Sequence, residues 1–274
     1  MLNKKKLNIY LKIGRRFNFY ARSNSEIMYK MHKENEGNSK KWYLHTLQMR
    51  DTIVGKGGVK MRDFPIFTTE YGVSSLVLKE IPYKKQAFIR IRDVQPGFFK
   101  EHLQECVSFC RMAGAEAIFA SGNEELNAYP LYTRVLEMRA AAWVDPEKLA
   151  CLFPVTESTA GKWRGIYNDA MRAVDNSGTL ESRDEKQLAE SIGAYFVHKD
   201  GELLGIGWLD DCKLLAVAAV RKGAGETVMH TLMSLVEGDT MTLEVASTND
   251  RAIRLYEKLG FLTTGEISCW YRVG

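Results

Sequence analysis

From about residue 71 the apolar positions take on strand spacing. Val73, Leu76, Val77, Leu78 and Ile81 form one run, and Ala87 to Val94, centred on Phe88-Ile89-Arg90-Ile91, form a second. Pro82 and Lys84-Lys85 separate the runs, which predicts a hairpin. Pro96 and Gly97 close the second strand, and Phe99, Leu103, Cys106, Val107 and Cys110 then recur at helical spacing up to Gly114. A short strand is expected at Ala117-Ile118-Phe119-Ala120. After a polar loop, Tyr129-Pro130-Leu131-Tyr132 leads into a pattern read as helical at Val135, Leu136 and Met138.

Near Asp145-Pro146 the pattern restarts, which places a domain boundary at about residue 150. Phe153 to Val155 predicts a strand, Trp163, Ile166, Tyr167 and Ala170 a helical face, and Asp184 to Ser191 a second helix. Ala194 to His198 and Leu203 to Trp208 are strands joined by Lys199-Asp200-Gly201-Glu202, where Asp-Gly supplies the positive φ angles of a tight turn. Leu214 to Val220 is apolar throughout, as for a strand covered on both faces. Beyond Arg221-Lys222-Gly223-Ala224-Gly225-Glu226 a helix buries Val228, Leu232, Leu235 and Val236, and Gly238-Asp239 ends it. Met241 to Ala246, Asp250 to Leu259 and Ile267 to Val273 predict strand, helix and strand. The whole is a mixed α/β chain. Each half has a hairpin, a helix, a strand, a polar loop and a Leu-Tyr pair, which suggests two related halves.

Composition changes this picture little, with 45% hydrophobic and 26% charged residues among 274. Charge placement matters more. Residues 1 to 48 hold 11 Lys or Arg against three Glu, leaving 27 basic and 31 acidic residues in the remainder. The net +4 therefore resides in a basic, poorly periodic N-terminal stretch, expected to be a solvated tail, and nucleic-acid binding is not expected. Lys12, Arg15 and Arg16 interrupt any secretory signal, and no run is long enough to span a membrane. Five scattered cysteines fit reduced thiols in a cytoplasmic protein, with Cys106 and Cys110 packed rather than metal-bound; no metal is expected. His198 and His230 are expected to be solvated or hydrogen-bonded, and Trp163 to pack in the core.

A strand running through Gly223-Ala224-Gly225 into a helix leaves backbone amides unpaired where glycine permits a phosphate to approach. The turn lacks the Gly-Lys-Ser/Thr ending of a triphosphate loop and the third glycine of a dinucleotide site. A second constellation follows from Asn249 through Ala252, Leu255 and Tyr256 to Gly260 and Phe261, six fixed positions in thirteen. Together they resemble the GNAT (Gcn5-related N-acetyltransferase) superfamily. The resemblance implies an acetyltransferase-type mixed sheet with helices on both faces and acetyl-CoA as acetyl donor. By position, Gly223, Ala224 and Gly225 would hold the pyrophosphate, and Val217, Ala218, Ala219 and Val220 would line the pantetheine. Asn249 would bond the cofactor arm, Tyr256 would protonate the departing thiolate, and Glu244 would be the general base. Val220 stands where the family has Gln or Arg.

The resulting expectation is an N-acetyltransferase for a small-molecule or peptide amine, acting by direct transfer in a ternary complex. The competing class is a non-catalytic acyl-CoA-binding or scaffold protein. Residues 49 to 150 are expected to be a degenerate half, because Gln95-Pro96-Gly97-Phe98-Phe99 puts aromatics where phosphate would approach. Residues 151 to 274 would form the acetyltransferase domain.

Overall fold

The computed structural model describes residues 65–274 throughout and, nearer the N-terminus, the backbone of three strands. These are β1 (Asn18–Ser23), β2 (Glu26–Met31) and β3 (Trp42–His45), an antiparallel series continued by β4 (Ile66–Thr68). At these positions the expected solvated tail is corrected. Phe19, Tyr20, Ile27, Tyr29, Trp42 and Tyr43 concentrate β-favouring residues in short runs that the charge count obscured. The rest of residues 1–48 lies outside the described residues.

The chain divides into two compact units, Met1–Tyr132 with Trp270–Gly274, and Thr133–Cys269. In the first, β5 (Gly72–Val77) and β6 (Gln86–Val94) form the expected antiparallel pair, joined through a short helix, α1 (Ile81–Lys84). Then come α2 (Phe99–Met112), β7 (Ala117–Ser121) and a single 3-10 turn at Glu124–Ala128. One face of α2 packs Phe99, Leu103, Cys106 and Cys110 against Phe67, Leu76, Ile89 and Ile118. His102, fully buried on the same helix, hydrogen-bonds the hydroxyls of Thr69 and Ser74, each at 2.8 Å. Both of its ring nitrogens are thereby satisfied in a core that would otherwise penalise them.

The second unit holds β8 (Leu131–Ala141), β9 (Cys151–Pro154), α3 (Ala160–Met171), α4 (Glu185–Glu190), β10 (Ala194–Lys199), β11 (Glu202–Asp210) and β12 (Lys213–Ala219). These are followed by α5 (Gly225–Met233), β13 (Thr240–Ala246), α6 (Asp250–Lys258) and β14 (Leu262–Arg272), whose last residues pair with β7. Its sheet runs β14-β8-β13-β12-β11-β10-β9, and from β8 onward it is antiparallel except between β12 and β13. Helices cover both faces. On one, α5 and α6 pack Val228, Leu232 and Tyr256 against Leu214, Leu243 and Val245; on the other, α3 and α4 pack Trp163 and Leu188 against Phe196, Ile206 and Ala218. Trp163 is a core residue, its indole donating to the Tyr195 carbonyl at 3.0 Å. Gly207 admits α5 closely, since a Cβ there would lie 2.3 Å from Leu232 Cδ1.

Two expectations change here. Residues 131–141 are a strand rather than a helix. Val135 and Met138 are both buried because the inward side of β8 changes between them, giving a spacing of three that mimics a helix. The strand at residues 213–219 is not covered throughout, and Leu215 and Val220 are exposed. The reason is a local irregularity that builds the candidate site.

Candidate functional site

In the pairing of β11 with β12, Leu209 faces Leu214 and Trp208 faces Ala216, so Leu215 is an extra, bulged residue. A bulge bends its strand and sharpens its twist. On the other side, β12 and β13 pair only at Lys213 with Thr242 and at Leu214 with Leu243. The last pair therefore precedes the bulge by one residue. Beyond it β12 stays bonded to β11 through Ala219, while its edge towards β13 has no ladder partner among the described residues. The two parallel strands part into a cleft whose wall is a row of free backbone N–H and C=O groups.

Two helix starts stand at the open end of this cleft. Gly223 has φ +86°, and a Cβ built on it would meet nothing within 4 Å. Its positive φ favours glycine, and the open space leaves the turn accessible. Ala224 has no side-chain cap to offer α5, and the first amide donating back along the helix is that of Val228, to the Ala224 carbonyl at 2.9 Å. The N–H groups of Gly225, Glu226 and Thr227 are thus available at the positive end of the helix dipole. Gly225 faces inward instead: its Cβ would lie 3.0 Å from Leu255 Cδ2. The glycine turn and the Leu-Tyr helix consequently touch at this point.

Charge around the turn is arranged by Glu226. Its carboxylate accepts from Lys148 Nζ at 2.7 Å and from Lys258 Nζ. Hydrogen bonds to Lys148 and then Lys258 hold its carboxyl well down, at about 2. Arg221 pairs with Glu202. One carboxylate thus gathers two ammonium groups beside the free amides, and Asp145, 3.9 Å from Lys148 Nζ, offsets the second charge, so the amides are what suit the turn to phosphate.

Asn249 caps α6, its Oδ1 accepting from the Ala252 amide at 3.2 Å. This side-chain oxygen is committed to the helix start, and the amide NH2 is the group left to meet a ligand. Tyr256, 7% exposed, lies in the α5–α6 core with its ring 5.7 Å from Phe261. Burial alone pushes its phenol up to about 12, so the group keeps its proton across the neutral range. Val217 packs against the same core, whereas Ala218 is buried on the opposite face. Ala219 and Val220 are exposed near the open end, and the Val220 amide is bonded to the Leu204 carbonyl at 2.9 Å.

Glu244 follows the last paired residue of β13 and stands at the closed end of the cleft. It is exposed and engaged by Lys213, the first residue of β12, whose Nζ donates to Glu244 Oε1. Directly opposite on β8 is Glu137, whose Oε2 accepts from the Thr264 hydroxyl at 2.7 Å. Sequence reading missed Lys213, Glu137 and Lys148. Lys213 and Glu137 acquire meaning only through register, and Lys148 lies 78 positions from the glutamate it serves. His230 is buried on α5 with Nδ1 accepting from the Asp145 amide at 3.3 Å, a hydrogen-bonded role as expected. His198 lies against the Phe153 ring, at a centroid distance of 5.0 Å, with its buried Nδ1 unpartnered.

A family model described as FR47-like protein matches residues 185–271, which span the bulge, the glycine turn and the Asn-to-Phe motif. This unit is similar to that family. No curated protein sequence matches the chain. Among solved structures, a functionally unknown protein from Staphylococcus epidermidis is similar at 11% identity over 77% of this chain and 93% of its own, with TM-score 0.49. A GCN5-related N-acetyltransferase from Sphaerobacter thermophilus has 12% identity over 79% and 82%, TM-score 0.46. A GNAT-family acetyltransferase from Colwellia psychrerythraea has 12% over 77% and 86%, TM-score 0.42. Among the described residues, no helix is long and apolar enough to cross a membrane.

Proposed function

We propose that the chain is an acetyl-CoA-dependent N-acetyltransferase that acylates a primary amine by direct transfer. The supporting observation is the parting of β12 from β13 at Leu215, which leaves a strand edge free beside an open glycine turn. A pantetheine arm carries amide groups that can pair with such an edge, and a pyrophosphate suits the amides of Gly225, Glu226 and Thr227. The donor supplies an acyl group already activated as a thioester. Val217 packs the cleft wall, Asn249 offers its amide NH2 from the start of α6, and Tyr256 holds a proton for the departing sulfur. Glu244 is the carboxylate at the closed end and takes the proton of the attacking amine. A small molecule or a peptide end fits this chemistry equally.

Calorimetric titration of acetyl-CoA tests the reading, with Gly223→Asp as the comparison. Aspartate tolerates positive φ and places an anion on the proposed phosphate turn. The expected result is saturable one-site binding weakened by about tenfold or more in the variant, as for loss of one favourable charge interaction. Absence of binding by the folded wild type would favour the scaffold alternative, which the replacement by Val220 of a polar partner before the turn would then explain.

A further inference from the structure

Resting on that reading, we infer that Lys213 is a self-acetylation site of this protein. Leu214 and Leu243, the last paired residues, belong to the α5–α6 core, so their strand neighbours Lys213 and Glu244 stand on the other face at the head of the cleft. There the chain supplies its own primary amine, held by the carboxylate assigned to deprotonate the acceptor. Side chains 46% and 41% exposed gain little stability from such a pair, so the lysine side chain can leave the carboxylate to reach a bound thioester.

In the transfer, Lys213 gives one proton to Glu244, and its Nζ lone pair attacks the thioester carbonyl. An amide C–N bond forms as the C–S bond breaks, the ammonium's remaining surplus proton is lost to water, and the sulfur leaves as thiol with the proton supplied by Tyr256. The acetylated side chain carries no charge and no longer holds Glu244, so modification releases the base for an external amine.

The test incubates the full chain with acetyl-CoA and follows intact mass and peptide maps, alongside calorimetric binding. Lys186 on α4 is an internal control, because it is 77% exposed and paired with Glu190 at 3.6 Å but lies outside the cleft. The expected result is one acetyl group on Lys213, at a rate independent of protein concentration and at least tenfold above that of Lys186. Glu244→Gln should slow it at least tenfold, and Lys213→Arg should abolish that adduct while circular dichroism stays unchanged. Acetyl-CoA binding without modification of Lys213, or modification no faster than at Lys186, overturns the inference and leaves the proposed function standing. No acetyl-CoA binding by the folded wild type overturns both.

Discussion

Two parallel strand pairs in this chain follow similar element orders and reach opposite outcomes. In the first unit, β6 and β7 pair continuously from Gln86 with Ala117 to Arg90 with Ser121. The bulge in β6 falls at Arg92, beyond the last paired residue, and Gly122 closes the space behind it. A Cβ on Gly122 would lie 2.5 Å from the Ile91 carbonyl oxygen. In the second unit the bulge falls at Leu215, near the start of its strand, and pairing with β13 ends one residue before it. The helix starts differ as well. That of α2 is occupied by Phe98, stacked on Tyr71 at 5.2 Å, and by buried Phe99, whereas that of α5 is an open glycine turn flanked by lysines. The position of one extra residue, more than composition, separates a closed sheet from an open cleft.

The largest effect is expected at Tyr256, on the helix that flanks the cleft. Tyr256→Phe should lower turnover by about 100-fold, the size of a lost general acid, while acetyl-CoA affinity changes by less than about twofold. Steady-state kinetics beside calorimetry separates the two, and full activity in the variant would remove the proton-donor role. Next, Gly122→Ala should destabilise the fold by about 2 kcal/mol, because a methyl group meets backbone at a residue whose φ is +93°. Urea denaturation measures it. An unchanged midpoint would mean that the closed half tolerates widening.

Leu255→Ala should cost about 1 kcal/mol and weaken acetyl-CoA binding a few-fold, since the removed side chain joins α6 to Gly225. Thermal unfolding with and without ligand reads both. The smallest effect concerns Glu226. Its folded-state pKa is depressed, so its contribution is present above the ordinary carboxylate range and is lost as pH falls towards about 2. Glu226→Gln should lack that component, so the gap in thermal midpoint between wild type and variant should narrow progressively from pH 5 to pH 2. A gap that is constant over this range would assign the clamp no role.

Much of the second unit was legible because its signals are local. Asp200-Gly201 adopts the positive φ angles its sequence called for, at +53° and +79°, and the Asn249-to-Phe261 motif forms a helix capped by Asn249 and followed by Gly260 at φ +85°. The bulge was illegible, because Leu215 sits in a uniformly apolar run and only its partners on β11 reveal it as extra. Strand β8 was misread because its buried positions change side midway. The Lys213–Glu244 pair had no sequence signature, as register alone joins residues 31 apart. Where function depends on cross-strand neighbours, periodicity within one segment is blind to it.

The unzipped edge of β12 has a consequence for handling the protein. It is an interior strand with one side unfinished, so any extended chain can complete it as well as the proper ligand can. On the proposed function, acyl-CoA would act as a missing rung of the sheet, raising the melting temperature and shielding the cleft from stray peptide strands. Preparations stripped of it should clump on storage, and those replenished with it should keep.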